Sequence, residues 1–258
     1  MRKLIASTMT HSKCSLEDTL ERLKEAGFDR IELCSAGGLA PHIKMNQLDA
    51  SVVAEIAKTV KNSGMGVHCI NVGEGGFPMD KMELIYALGD MVGAKIITYA
   101  CGCPVEGIPN EELIKQGAEF NSKLADMGDR YGIICSIEAP HKNSLASNTE
   151  EVDYFWSVQD DRVKVTFDTA HLTYSGEDML ALAKRYAPRM AHSHLRDAIK
   201  GNSLMRYGEG VVDFKSYLET VKANGYDGWF SMEYPSQSPE DAAEKLAASV
   251  KYLSQFDI

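Results

Sequence analysis

The sequence lacks any run of apolar residues long enough to cross a bilayer, which takes about eighteen or more in succession. Its start, MRKLIASTMTHSKC, has a pair of basic residues but only a short apolar run, which Thr8, Thr10 and His11 interrupt. A signal peptide needs a longer apolar segment than this. We therefore expect a cytoplasmic protein that makes no membrane contact.

Cysteine is also sparse, with six residues in a chain of 258, which is too few for a disulfide scaffold. Most of the six lie in or beside apolar segments, where a free thiol packs as a small hydrophobic group. Cys101 and Cys103 form a C-x-C pair, but no second pair follows at the spacing of a structural zinc site. This usage fits a reducing cytosol and gives no support to structural zinc.

Basic residues are outnumbered, since 27 Lys and Arg stand against 37 Asp and Glu and the formal net charge is -10. An acidic protein repels a phosphate backbone, so we expect no nucleic-acid partner. The motifs G-x-S-x-G and H-E-x-x-H of nucleophilic and zinc hydrolases do not occur. The GEGG segment at 73–76 lacks the spacing and the following Lys of a phosphate-binding P-loop.

The sequence does contain a repeated pattern, in which a short apolar or β-branched segment precedes a longer amphipathic segment with helical periodicity. The pattern predicts strands at 3–9, 30–35, 66–72, 95–101, 132–139, 163–170, 190–195 and 228–234. It predicts helices at 15–26, 49–63, 79–92, 110–130, 149–157, 177–186, 213–224 and 239–254. Ser15, Asn110 and Ser238 stand where helix N-caps are expected.

Apolar strands that alternate with helices indicate a parallel sheet covered by helices. Eight strand–helix units favour a closed barrel over an open doubly wound sheet, and such barrels typically have about 250 residues. No linker, low-complexity tract or shift in composition marks a second domain. We therefore predict an α/β fold, a single (β/α)8 TIM barrel that takes up residues 1–258 as one domain.

Four polar residues stand at the ends of the last four predicted strands, where the active sites of such barrels form. Glu138 ends the fifth strand (CSIE) and Asp168 the sixth (VTFD). His194 ends the seventh (AHSH) and Glu233 the eighth (FSME). Because side chains alternate along a strand, each of the four shares a face with the polar residue two positions earlier. We expect the four side chains to point into one mouth of the barrel.

Three carboxylates that converge in a partly buried mouth repel one another, which is costly unless a cation neutralises them. Three carboxylates and one imidazole suit a divalent ion in an open octahedral site, such as Mn²⁺, Mg²⁺ or Co²⁺, better than a thiolate-rich zinc site does. The residues thus predict one divalent cation bound by Glu138, Asp168, His194 and Glu233.

Several short motifs follow one another along the chain. They are GFDRIEL at 27–33, IEAP with Glu138, FDTAH with Asp168 and His171, HSHLRD with His194, GEGVVDF at 208–214 and MEYP with Glu233. In this order they resemble the sugar-phosphate isomerase/epimerase family of xylose isomerase-like TIM barrels. The chain also looks like the ketose 3-epimerases within that family, and the likeness covers nearly its whole length.

The resemblance implies that the same four residues hold one divalent ion, commonly manganese. It implies that Glu138 and Glu233 are both ligands and the acid/base pair, while Asp168 and His194 are ligands only. His171 would contact a substrate oxygen. The implied reaction is the isomerisation or epimerisation of a sugar or sugar phosphate, by proton abstraction through a metal-bound cis-enediolate. Carboxylates on opposite faces of that intermediate would invert the carbon.

The chain departs from the ketose 3-epimerases at two positions that touch substrate hydroxyls in that family. Ser144 replaces a second Glu, and Lys200 replaces an Arg. The HLRD segment, with Arg196 and Asp197, is more similar to members that act on inositol derivatives or catalyse dehydration. A metal-dependent dehydratase or lyase for a keto sugar or an inosose-like substrate is therefore the alternative function.

Further substrate contacts are expected from Arg196, Lys200 and His68. The first two lie in the long loop after the seventh strand, a region where barrels often bind phosphate. The amides of the GEG segment at 208–210 can turn towards an anion there. His68 can face the mouth from the third strand, as Glu32 can from the second. The sequence is compatible with both a phosphorylated and a neutral substrate.

Two other functions compete with a sugar-converting enzyme. Apurinic endonucleases use this barrel with three metal ions, but they need a histidine that the fourth strand (IITYACG) lacks. They also need a D-x-H motif where this chain has Asp213, Phe214 and Lys215. A non-catalytic sugar-binding barrel is disfavoured because Glu138 and Glu233 are both present. We expect a small-molecule carbohydrate as partner, and the sequence leaves a homo-oligomer open.

Overall fold

The computed structural model of the protein describes residues 3–37, 39–40 and 42–258. The first two residues of the amino-terminal segment discussed above therefore lie outside the described part. The strands are β1 (Leu4–Ser7), β2 (Arg30–Ser35), β3 (Gly66–Val72), β4 (Ile96–Ala100), β5 (Ile134–Glu138), β6 (Lys164–Asp168), β7 (Met190–Leu195), β8 (Asp197–Ile199), β9 (Asn202–Met205) and β10 (Phe230–Met232).

Helices cover the outside of the strands and connect them. They are α1 (Leu16–Glu25), α2 (Ala50–Ser63), α3 (Met79–Val92), α4 (Asn110–Tyr131), α5 (Thr149–Ser157), α6 (Thr169–Ser175), α7 (Met179–Tyr186), α8 (Phe214–Ala223) and α9 (Pro239–Leu253). Short 3-10 helices lie at Thr8–His11, Met45–Gln47 and Ala187–Arg189. Among the described residues, no helix is both long and apolar enough to span a membrane.

Eight parallel strands close into a barrel in the order β1-β10-β7-β6-β5-β4-β3-β2. They overlap the eight predicted strands, and the predicted (β/α)8 TIM barrel is confirmed. The caps expected at Ser15 and Ser238 are present, since each side chain accepts an amide hydrogen bond from the first turn of its helix. The cap predicted at Asn110 is wrong, because Pro109 occupies that position and Asn110 is the first helical residue.

Apolar side chains fill the layer between the barrel and its helices, while polar side chains fill much of the barrel interior. On the outer faces, Leu33, Ile97 and Phe167 are fully buried, and the ring of Phe167 stacks on Tyr217 of α8. On the inner faces, the hydroxyl groups of Ser136 on β5 and Thr166 on β6 form a 2.7 Å hydrogen bond. This interior hydrogen bonding satisfies polar groups that would otherwise be costly to bury.

Two elements were not anticipated from the pattern. The sixth strand ends at Asp168 and not at 170, because the Asp168 carboxylate accepts hydrogen bonds from the amides of Ala170 and His171 and so caps α6. After β7, strands β8 and β9 form a separate antiparallel hairpin that the periodicity did not reveal. Both features stand beside the carboxyl ends of the barrel strands and shape the region above them.

Candidate active site

A cavity of about 560 Å³ lies at the carboxyl ends of the barrel strands. This volume is in the range of small-molecule sites. Its lining includes Asn71, Cys101, Glu138, His141, Lys142, Ser144, His171, Arg196, Leu204 and Glu233. Charged and imidazole side chains therefore lie among apolar ones in this lining, to which the amino-terminal end of the barrel contributes nothing.

The structure brings Glu138, Asp168, His194 and Glu233 together next to this cavity, which Glu138 and Glu233 line. One potential ligand atom from each lies within 4.8 Å of those from the others. All four side chains are buried. In the barrel, β6 and β7 separate β5 from β10, so Glu138 and Glu233 approach the centre from two sides while Asp168 and His194 lie next to each other in register.

The two ring nitrogens of His194 face different partners. Its Nδ1 lies 2.9 Å from Oε1 of Glu138, 3.5 Å from Oε2 of Glu233 and 4.0 Å from Oδ2 of Asp168. Its Nε2 lies 3.0 Å from Oε2 of Glu32. Nδ1 is therefore the nitrogen directed at the carboxylate cluster, and a proton on Nε2 would donate to Glu32.

Glu32 lies beneath the cluster and does not line the cavity. Its side chain, on β2, is fully buried and also lies 2.5 Å from Nε2 of His192. The prediction that Glu32 can face the mouth is corrected accordingly, because one carboxylate oxygen is engaged by two imidazoles. Sequence reasoning noted the residue in GFDRIEL, but a strand pattern cannot show which partners lie across a barrel.

Burial and mutual repulsion push the pKa values of the two glutamates apart. Burial raises the pKa of Glu233 to about 8, although the charge of His194 opposes this shift. Burial also acts on Glu138, but the charge of His194, the nearby ring of His171 and a hydrogen bond with His194 hold its pKa well below the usual range. Two carboxyl groups with opposite shifts are typical of an acid and a base that work together.

The pKa of His194 is raised well above its usual value. Burial alone would lower it, but the charges of Glu233, Glu32 and Glu138 outweigh that effect. Without a bound cation, the surrounding carboxylates therefore favour the protonated form of His194. Arg196 also brings a positive charge to the cluster, with Nη1 3.4 Å from Oε2 of Glu233.

The cluster fits a divalent cation. Oδ2 of Asp168 is buried and has no hydrogen-bond donor among the described residues, while Nη1 of Arg196 lies 3.5 Å away. A buried carboxylate oxygen without a donor is a ready ligand for a cation. Carboxylate oxygens with one imidazole are ligands for Mn²⁺, Mg²⁺, Co²⁺ or Zn²⁺.

Two histidines form the wall beside Glu138. His171 is buried, with Nε2 3.6 Å from Oε1 of Glu138, and neither ring nitrogen has a hydrogen-bond partner in the described part of the chain. His141, which sequence reasoning did not select, lies 4.0 Å from it between ring centres. Burial lowers the pKa of His141 to about 4, and the charge of His171 adds to the shift. In the sequence, only the position of His141 three residues after Glu138 could have indicated that it belongs to the site.

The structure does not bring His68 to the cavity. Its ring lies 5.3 Å from that of Trp229, which directly precedes β10, at the amino-terminal end of the barrel. The register between β2 and β3 shifts at this point, so the alternation of faces predicted for β3 changes phase. Asn71 therefore lines the cavity, and its Nδ2 donates to Oε1 of Glu233 at 3.1 Å.

Arg196 lines the cavity as predicted, but Lys200 does not. Lys200 is exposed in the turn of the β8–β9 hairpin and borders a different surface groove beside Gly176. Its neighbour Gly201 has a φ of 79°, which lets the hairpin reverse direction and carries Lys200 away from the barrel mouth.

The amides of the GEG segment are already occupied. The carboxylate of Asp197 accepts hydrogen bonds from the amides of Gly208 and Gly210 at 2.8 and 2.9 Å. A Cβ at Gly210 would lie 2.1 Å from Oδ1 of Asp197, so this approach requires glycine. The predicted anion site in this loop is thus filled by the chain's own carboxylate.

The fold and this arrangement match a known family. The chain matches the sequence model of the xylose isomerase-like TIM barrels over residues 20–255. It belongs to this family. The xylose isomerase-like barrels are also its neighbours in structure. The IOLI protein, solved with a bound zinc atom, has a TM-score of 0.76 and 18% identity, over 98% of this chain and 99% of that one.

Named relatives of this xylose isomerase-like barrel act on sugar-like substrates. An inosose dehydratase of Lacticaseibacillus casei is 29% identical over 194 residues, which cover 63% of this chain and 65% of that protein. The chain thus spans less than two thirds of that relative. The 3-keto-D-glucoside 4-epimerase YcjR of E. coli has a TM-score of 0.73 and 18% identity, over 97% of this chain and 100% of that one. At such identity the solved structures show a shared fold.

Proposed function

We propose that this protein is a divalent-metal-dependent sugar isomerase or epimerase that removes a proton from the carbon next to a carbonyl group. The observation that carries the proposal is the cluster of Glu138, Asp168, His194 and Glu233, whose potential ligand atoms lie within 4.8 Å of one another and of which Glu138 and Glu233 line the cavity. In it, two glutamates with oppositely shifted pKa values approach from two sides. The substrate is a keto sugar, a sugar phosphate or a keto cyclitol.

Glu138 and Glu233 move the proton in this proposal. Glu138, whose pKa is held low, acts as the base on one face, and Glu233 returns to the other face a proton that it takes up from solvent. Since β6 and β7 separate their strands, the two groups can act on opposite faces of a flat intermediate, which inverts the carbon. If one group both takes and returns the proton, the product is an aldose–ketose isomer.

A divalent ion held by the four residues would polarise the carbonyl oxygen and stabilise the negative charge left when the proton departs. Manganese is the ion we expect, with magnesium, cobalt or zinc as outcomes of metal analysis. His171 and Arg196 line the cavity above the cluster and orient substrate oxygens by donating hydrogen bonds. His141, neutral because of its low pKa, can donate or accept there.

Dehydration is the second candidate, and the inosose dehydratase relative favours it. The first step is the same proton abstraction by Glu138. The hydroxyl on the next carbon then leaves as water, taking the proton that Glu233 carries, and a carbon–carbon double bond forms. Ser144, which stands where the 3-epimerases have a glutamate, lines the cavity and hydrogen-bonds with Cys101 and with the backbone of His141.

Solvent-deuterium exchange tests the proposal. The manganese-loaded protein is incubated in D₂O with ketoses, their phosphates and inosose-like compounds, and the carbon next to the carbonyl is followed by NMR. We expect deuterium incorporation into at least one compound, stopped by a chelator. Inverted product indicates epimerisation, and a new olefinic signal indicates dehydration. Binding without exchange across the panel would indicate a non-catalytic sugar-binding barrel and overturn the proposal.

A further inference from the structure

The cavity contains a lysine with no acidic partner. Lys142 lies in the loop between β5 and α5, and its side chain lines the cavity. Its amine donates a hydrogen bond to the hydroxyl of Ser203 and lies 4.9 Å from the ring centre of Tyr174. In the described part of the chain, no carboxylate oxygen lies within 4.0 Å of this amine. The positive charge of the half-buried Lys142 is therefore only partly compensated, by a hydroxyl group and an aromatic ring.

We propose that Lys142 binds an anionic group of the substrate, a carboxylate or a phosphate, while the reacting carbon lies between Glu138 and Glu233. The inference rests on the proposed function, because the cluster must fix the reacting end of the molecule for Lys142 to select the other end. It narrows the substrate class to acidic or phosphorylated keto sugars and keto cyclitols.

The charges of the cavity support this assignment. Arg196, the other permanent cation in the lining, lies within 3.5 Å of both Asp168 and Glu233 and is therefore compensated. A divalent ion and Arg196 together balance the three carboxylates of the cluster. Glu32 lies below and is engaged by histidines, so it does not reach the lining. The positive charge of Lys142 remains, facing the cavity.

Burial also disfavours the charge of Lys142. It lowers the pKa of the amine, and the charge of Arg196 adds to the shift. A ligand oxyanion would reverse this effect, because a nearby negative charge stabilises the ammonium group. A neutral hydroxyl would accept a hydrogen bond but would not supply the charge.

The hairpin holds Lys142 in place. Ser203 of β9 accepts from Lys142 through its hydroxyl and from Nη2 of Arg196 through its carbonyl oxygen, at 3.3 Å for the latter. Lys142 and Arg196 thus both donate to Ser203 on the same side of the cavity. A side chain fixed in this way loses little conformational entropy on binding a ligand, which increases affinity.

Matched ligand pairs test the inference by calorimetry on the manganese-loaded protein. L-Sorbose and 5-keto-D-gluconate differ at a carboxylate, and D-fructose and D-fructose 6-phosphate differ at a phosphate. We expect the anionic member of at least one pair to bind about tenfold tighter or more, since charge-assisted hydrogen bonds are the stronger kind. The pair that responds distinguishes a carboxylate from a phosphate.

Three variants test whether the preference for anionic ligands depends on the amine of Lys142. Lys142→Met should bring the two members of the responding pair to within about threefold of each other, with little change for the neutral member. Lys142→Arg keeps the charge and should retain most of the preference. Lys200→Met, an exposed lysine outside the cavity, is the matched control and should keep the full preference.

Several outcomes would overturn the inference. One is a wild-type protein that binds both members of each pair alike, or that binds none of them. Another is a Lys142→Met variant that weakens neutral and anionic members equally. The proposed function is judged separately: deuterium exchange on any compound, together with an anion preference that is absent or that Lys142→Met leaves intact, would sustain the function and reject the inference. An anion preference that depends on Lys142, without deuterium exchange on any compound, would support the inference about Lys142 and reject the proposed function.

Discussion

Oε2 of Glu32 lies 3.0 Å from Nε2 of His194, on the side of the ring opposite the carboxylate cluster. A buried carboxylate in this position fixes the tautomer and the orientation of a ligating imidazole. The cluster is thus supported from below by β2, a strand that carries none of its four members.

Glu32→Gln should weaken the binding of the divalent ion about 10- to 100-fold, the usual effect of removing such a partner. The amide can still hydrogen-bond but no longer supplies the negative charge that favours Nε2–H. Calorimetric titration of the metal-free protein with Mn²⁺ measures the effect. Glu219→Gln, an exposed residue of α8, is the control and should bind as the wild type does. Equal affinities in both variants would show that Glu32 has no such role.

Glu138→Gln and Glu233→Gln should each reduce deuterium exchange by at least about a hundredfold, the usual contribution of a general acid or base. Each variant should keep the fold and part of the metal affinity, because three of the four ligands remain. Metal content and thermal unfolding are measured alongside exchange. Full activity in both variants would contradict the assignment of the acid/base pair.

Metal affinity should rise with pH. Without the ion, the raised pKa values of His194 and Glu233 mean that both hold protons near neutrality, and a cation must displace them. Raising the pH removes these protons, so the apparent affinity should increase through neutrality, past the Glu233 pKa of about 8, and level off only above the pKa values of both groups. Titrations in buffers of different ionisation enthalpy count the protons released. An affinity independent of pH, with no proton release, would contradict the account.

Arg196→Met should destabilise the metal-free protein more than the metal-loaded one. Arg196 lies between Asp168 and Glu233, and its removal leaves buried carboxylates without that counter-charge. The free energy of unfolding should fall by about 3 kcal/mol without metal and by clearly less with it, since the ion then supplies positive charge. Denaturant unfolding in EDTA and in excess Mn²⁺ measures the difference. Equal losses in both conditions would show that the pairing is unimportant.

Much of the site could be predicted because its members end barrel strands. Period and spacing place Glu138 and Asp168 within two residues of the ends of the fifth and sixth strands, and barrel closure then brings them together. His194 and Glu233 follow from the same rule. These positions depend on local pattern and on one property of the fold, both of which can be read from one chain.

The remaining features depend on events that the pattern does not record. A register shift between β2 and β3 brings Asn71 to the cavity, while His68 stays near the amino-terminal end of β3. A hairpin turn at Gly201 carries Lys200 out to solvent. The pairing of Glu32 with His194 joins residues that are 162 positions apart in sequence. Such contacts arise from tertiary packing, so strand and helix periodicity could not reveal them.

Anomalous diffraction from crystals of the manganese-loaded protein tests the central claim most directly. We expect one strong peak at the manganese edge within about 2.0–2.6 Å of oxygens from Glu138, Asp168 and Glu233 and of Nδ1 of His194. No peak among these four side chains, or a peak at another site alone, would contradict the account.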